Sequence, residues 1–270
     1  MLYFLSILFG GFVGFALGLT GGGGSLLAVP LLVYGLSMVP REAFGVSLAA
    51  VGSTALVGVI PRIRTGQVEL GTGLLFALAG MLGAPVGTWI AGRIPEAILL
   101  AMFSLLMLLI ASRMWSKSAQ SQILEPVCDN ESRRPSCERT EEGTLLLTSR
   151  CAVVLLMVGL LTGVLSGMFG IGGGFVIVPA LVLFSNMPIH RAVATSLLVI
   201  VLVSISGVAS HFAAGRGISL EITGLFALGG VFGMTLGARV ARSIPPASLQ
   251  KVFATGIVTV ALFIVSKTFM

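Results

Sequence analysis

Gly18-Leu19-Thr20-Gly21-Gly22-Gly23-Gly24-Ser25 is followed by Pro30, and the pattern returns as Gly167-Met168-Phe169-Gly170-Ile171-Gly172-Gly173-Gly174 followed by Pro179, at a constant offset of 149 residues. Both copies lie in stretches with no charged side chain, Met1 to Pro40 and Cys151 to Ile189. Each glycine run therefore interrupts an apolar segment long enough to enter a bilayer. A broken membrane helix, present twice in corresponding positions, is the pattern of a transporter with a midplane site.

Composition supports the membrane assignment independently. Hydrophobic residues are 56% and charged residues 10%, with a mean hydropathy of +1.07, whereas soluble domains carry about 25% charged residues. Further charge-free runs span Ala43–Pro61, Leu70–Gly92, Ala97–Ser112, Ala192–Gly215, Ile222–Ala238 and Val252–Ser266. A crossing takes about 20 apolar residues, fewer when flanking Lys or Arg snorkel. The expected fold is an all-α polytopic membrane protein of about eight hydrophobic segments, four in each half. The start, Met-Leu-Tyr-Phe-Leu, has no basic region and reads as a retained first helix. The partner of such a surface is the lipid bilayer, and no nucleic-acid partner is expected.

The repeat extends past the glycines. Ala43, Ser47, Leu48 and Gly58 meet Ala192, Ser196, Leu197 and Gly207 at the same offset, and after a one-residue insertion Gly83, Gly87 and Pro95 meet Gly233, Gly237 and Pro245. This divides the chain into a first membrane repeat, 1–115, a polar linker, 116–145, and a second membrane repeat, 146–270. The linker holds six of the ten acidic residues and reads as solvated and mobile. If each glycine segment turns back within the membrane, the second half is inverted and twelve of the sixteen Lys and Arg residues fall on the linker side. If each crosses, the halves are parallel and the bias is weaker. Both readings put the linker in the cytoplasm, and the stronger bias favours inverted repeats.

A helix that stops in lipid leaves N–H and C=O groups unpaired, at a cost unless they line a cavity filled by ligand or water. After each run an apolar helix resumes, so free N–H groups and the positive end of a helix dipole face the break, which suits an anion. Glycine lets oxyanion oxygens approach the backbone closely. Gly21, Gly22, Gly23, Gly24 and Ser25 in one half, with Gly172, Gly173 and Gly174 in the other, are the candidate substrate-binding residues. Ser47, Thr195 and Ser196 add hydroxyl donors. Glu42, Glu69, Glu96 and Glu221, the acidic residues outside the linker, lie at segment ends, so no midplane carboxylate is available for a cation. Neither a metal site nor a cofactor is expected. Arg41 and Arg191 are candidates for an anion entrance, and His211 for proton coupling. Cys128, Cys137 and Cys151 have no metal-ligand spacing and are expected as reduced thiols.

The break Gly170-Ile171-Gly172-Gly173-Gly174 with Pro179, then Arg191-Ala192-Val193-Ala194-Thr195-Ser196, in a duplicated chain, resembles the TauE/SafE sulfite-exporter family of prokaryotic permeases. The first half departs, with Gly45-Val46-Ser47 opposite Ala194-Thr195-Ser196 and Ser25 opposite Gly174. The resemblance implies export or uptake of sulfite, organosulfonates or related sulfur-containing anions by a multi-pass protein of the prokaryotic inner membrane. The expected function is an exporter working by alternating access around the two breaks, with a homodimer permitted. Alternatives are a membrane scaffold or assembly subunit and, less favoured, an intramembrane enzyme. Ser166 or Ser25 with His211 would be its catalytic pair, but neither serine sits in a G-x-S-G pattern and no aspartate lies in an apolar run. The chain is expected not to be an enzyme.

Overall fold

The computed structural model describes residues 2–120, 138–139, 145–146, 149–184, 187–215, 217, 219–241 and 259. The elements are α1 (Leu2–Thr20), α2 (Ser25–Pro30) continued by a π-helical turn (Leu31–Gly35), α3 (Pro40–Arg64), α4 (Leu70–Arg93), α5 (Glu96–Gln120), β1 (Glu138–Arg139), β2 (Leu145–Leu146), α6 (Ser149–Phe169), α7 (Gly174–Phe184), α8 (Ile189–Ala213) and α9 (Leu220–Val240). Among the described residues, six helices, α1, α3, α4, α6, α8 and α9, are long and apolar enough to cross a membrane, and Glu96–Leu109 of α5 is a further apolar stretch. The expected last segment, Val252–Ser266, lies outside the described residues apart from Thr259, as do Cys128 and Cys137.

Local chemistry sets the helix ends. Pro40 opens α3, where its missing N–H is one of the donors that a first turn leaves unpaired anyway. Glu42 in the first turn and Arg62 and Arg64 in the last complement the helix dipole. In α2, Pro30 removes an amide donor, and the ladder widens into the π turn directly after it.

Close backbone approaches at glycine give the helix directions. Gly10, Gly14 and Gly18 of α1 lie against the carbonyls of Phe226, Gly230 and Met234 of α9, so these helices run parallel. Gly159, Gly163 and Gly167 of α6 lie against Phe76, Gly80 and Ala84 of α4 in the same sense. Small residues every four positions allow this approach. Between α3 and α8 the numbers run oppositely, with Gly52 facing Ser204, Gly58 facing Leu197, and Gly207 facing Leu48. The two helices therefore cross antiparallel at their centres. Each half sends its first helix to the other half's third long helix, so the halves interlock. On the outside, Leu82 and Phe232, counterparts in the repeat, are 71% and 72% exposed, as lipid-facing side chains are.

Apart from a two-residue antiparallel ladder of β1 and β2, Glu138 opposite Leu146, the described elements are all helical. Helix α5 continues to Gln120. It packs inward through Leu99, Phe103 and Met107, four residues apart, and the Phe103 ring meets Phe169 at 5.7 Å between centroids. Cys151 is disulfide-bonded, not a free thiol.

Candidate functional site

Each glycine segment turns the chain back. Gly24 packs beside the Val13 carbonyl and the Leu17 amide of α1, and Gly35 beside the Phe9 ring, so α2 and its π turn descend along the helix that precedes them. Gly173 packs in the same way against Thr162 of α6. The reversal requires left-handed backbone at Gly21 (φ +74°), Gly170 (+67°), Gly172 (+69°) and Gly173 (+70°), a region that costs a residue with a Cβ about 1–2 kcal/mol.

The tips dock on the opposite half. Gly21 rests on Val193 of α8, and its counterpart Gly170 on the backbone of Phe44 of α3. Between them the backbones of Gly22 and Gly174 are in direct contact, with no room for a Cβ on either. The two breaks predicted from sequence are thus brought together.

The amide groups of Gly22, Gly24 and Ser25 on one side, and of Gly172, Gly173 and Gly174 on the other, have no hydrogen-bond acceptor among the described residues. All six residues are buried. Buried backbone donors are nearly always paired, and each unpaired one costs free energy comparable to a lost hydrogen bond. This concentration of idle donors at two helix starts is the strongest chemical feature of the interior.

The hydroxyls divide into committed and idle groups. Ser25 Oγ donates to the Gly22 carbonyl (2.7 Å), and Ser196 Oγ to the carbonyls of Gly21 and Val193 (both 2.9 Å). Thr195 Oγ1 accepts from the Glu69 N–H (3.0 Å) just before α4. These three hold protein backbone. Ser47 is fully buried and its Oγ has no partner. Ser204, one of the apolar-run hydroxyls that the sequence offers without singling it out, is likewise buried and unpartnered. Its Oγ lies 3.7 Å from where a Cβ on Gly172 would stand.

The charged candidates sit at the ends of α3 and α8. Arg41 donates from Nη2 to the Ile94 carbonyl (3.0 Å), and its Nε sits 3.6 Å from Glu96 Oε1, so it ties α3 to the start of α5. It also lines a groove of about 440 Å³ with Val39, Glu42, Glu96 and Gly217. That groove carries both signs of charge at the ends of helices, and it is not the glycine site. Arg191 is exposed at the start of α8, whereas His211 is buried in the last turn of that helix. No cluster of potential metal ligands occurs among the described residues.

Comparison with known proteins adds relatives. Residues 6–264 match the family described as sulfite exporter TauE/SafE. A probable membrane transporter protein of Xylella fastidiosa is 35% identical over 265 residues, covering 96% of this chain and 93% of the relative. YunE of Bacillus subtilis, also a probable membrane transporter protein, is 30% identical over 251 residues, covering 88% and 86%. A probable membrane transporter protein of Methanocaldococcus jannaschii is 26% identical over 269 residues, covering 93% and 92%. No solved structure matches the chain.

Proposed function

The chain belongs to the TauE/SafE sulfite exporter family, and on that premise we propose that it exports a small sulfur-containing anion, sulfite or an organosulfonate, by alternating access around the paired glycine breaks. The observation that carries this reading is the set of buried amides at Gly22, Gly24 and Ser25 and at Gly172–Gly174 with no acceptor among the described residues. Amides at helix starts bind anions through directed N–H groups and the dipole. Among the described residues, the carboxylates lie towards the ends of helices (Glu42, Glu69, Glu96 and Glu221) or in β1 (Glu138), so none stands at the breaks to compete for these donors.

Two inverted repeats, 1–115 and 146–270, would supply the motion. The antiparallel crossing of the counterpart helices α3 and α8 supports inversion, because a two-fold axis that reverses a membrane-spanning helix lies in the membrane plane. Rocking one set of helices against the other would expose the contact between Gly22 and Gly174 to each side in turn. Gly21–Ser25, Ser47 and Gly172–Gly174 would face the anion. Ser196 and Thr195 would act by holding Gly21 and the start of α4. The Lys and Arg distribution supports a cytoplasmic linker, and the prokaryotic relatives support an inner-membrane location. No step in this cycle breaks a covalent bond.

Proteoliposomes containing the purified protein test the reading. Saturable efflux of radiolabelled sulfite or methanesulfonate is expected, and it should be lost in the variant Gly173→Val. Liposomes that move cations, or no anion at all, would exclude it.

A further inference from the structure

Ser204 stands midway along α8, opposite Gly52 midway along α3. It is 2% exposed, and its hydroxyl has no partner. Most serines in membrane helices bond the carbonyl four residues back, as Ser53, Ser104 and Ser210 do here. Ser204 does not. Instead the hydroxyl sits where two glycine backbones come close, since a Cβ on Gly52 would come within 3.0 Å of it and one on Gly172 within 3.7 Å. Gly172 leads directly into the start of α7, a helix of 11 residues, where the amides of Gly172, Gly173 and Gly174 stand idle.

The surroundings are apolar. Ile200 Cγ2 and Val51 Cγ1 lie 3.2 and 3.5 Å from the position a Cβ on Gly172 would take. No charged side chain lies midway along any of the described long helices, and Arg41, Arg62, Arg93, Arg191 and Arg239 all sit near helix ends. The positive potential at the break therefore comes from a helix end worth about half an elementary charge. It matches one negative charge far better than two, because a second charge in a desolvated site would have no counter-charge.

Resting on the anion-carrier reading, we propose that Ser204 and the amides of Gly172–Gly174 form the subsite that binds one oxygen of the transported anion, and that this subsite selects singly over doubly charged oxyanions. Ser204 completes the donor set, and Val51 and Ile200 receive the uncharged flank of the ligand.

Calorimetric titration of the full-length protein in detergent, at neutral pH, decides the matter. Methanesulfonate, a monoanion, should bind at least tenfold more tightly than sulfate, a dianion. Ser204→Ala should weaken methanesulfonate binding ten- to hundredfold, the worth of one hydrogen bond to a charged group. Ser204→Cys, which keeps the size and offers a weaker donor, should fall between the two and serves as the probe if the alanine variant fails to fold. Ser210→Ala, whose hydroxyl is already bonded within α8, should match the wild type. Unchanged affinity in both Ser204 variants, or sulfate binding as tightly as methanesulfonate, would overturn the subsite while leaving the transporter intact. Wild-type protein that binds neither anion would remove the anion-carrier reading and the subsite with it.

Discussion

Gly173 and Gly66 share a left-handed backbone, φ +70° and +67°, in opposite surroundings. A Cβ on Gly173 meets the side chain of Thr162, whereas one on Gly66 meets nothing within 4 Å. Gly66→Ala should therefore cost only the backbone strain of about 1–2 kcal/mol and leave anion flux near wild type. Gly173→Val adds a branched side chain to a filled site, and flux in proteoliposomes should fall to background. Equal flux in the two variants would show that the break is not functional. Ser196→Ala makes a different prediction, because its hydroxyl holds the buried carbonyl of Gly21. Its loss should lower stability by about 1–3 kcal/mol, read as a lower melting temperature in detergent. The repeat made Ser47 and Ser196 conspicuous in the sequence, since each is the other's counterpart. It gave Ser204 no such weight among the membrane hydroxyls, because its counterpart is Ala55. Nor does sequence distinguish an idle hydroxyl from one engaged by a carbonyl 175 residues away, as Ser196 is.

At the scale of helices, the glycines spaced four apart and the consecutive glycines do different work. Gly10, Gly14 and Gly18, with Gly159, Gly163 and Gly167, place α1 on α9 and α6 on α4 with backbones in contact. Gly163→Leu would drive a side chain into the Gly80 backbone, an overpacking that costs about 1–3 kcal/mol or more and separates the helices. We expect little monodisperse protein after detergent extraction. Gly71→Leu, at the start of α4 with open space around it, should extract as the wild type does. Comparable yields would show that the packed faces tolerate separation. The apolar runs themselves were legible, because a charge-free stretch of that length has few alternatives to a membrane helix. Whether a glycine run crosses or turns back was not. That depends on positive φ at a handful of residues and on contacts such as Gly35 with Phe9, which hydropathy does not encode.

For the whole molecule, the interlocked packing turns orientation into a single measurable question. Gln67, between α3 and α4, and Gly217, between α8 and α9, are counterparts in the repeat and both are exposed. Inverted halves put them on opposite sides of the membrane, and parallel halves put them on the same side. Helix α5 begins beside the start of α3, through Arg41 and Glu96, and runs on toward the linker. The linker therefore shares its side with Gln67. With Cys128, Cys137 and Cys151 replaced by serine, a membrane-impermeant maleimide added to intact cells should label Gly217→Cys and leave Gln67→Cys untouched until the cells are opened. That pattern requires inversion together with a cytoplasmic linker, as the Lys and Arg distribution argues. The reverse pattern keeps the inversion and moves the linker outside, into the oxidising compartment that the disulfide at Cys151 would suit. Equal labelling of both positions would defeat inversion itself, and with it a transport cycle in which the two halves exchange conformations about the breaks at Gly22 and Gly174.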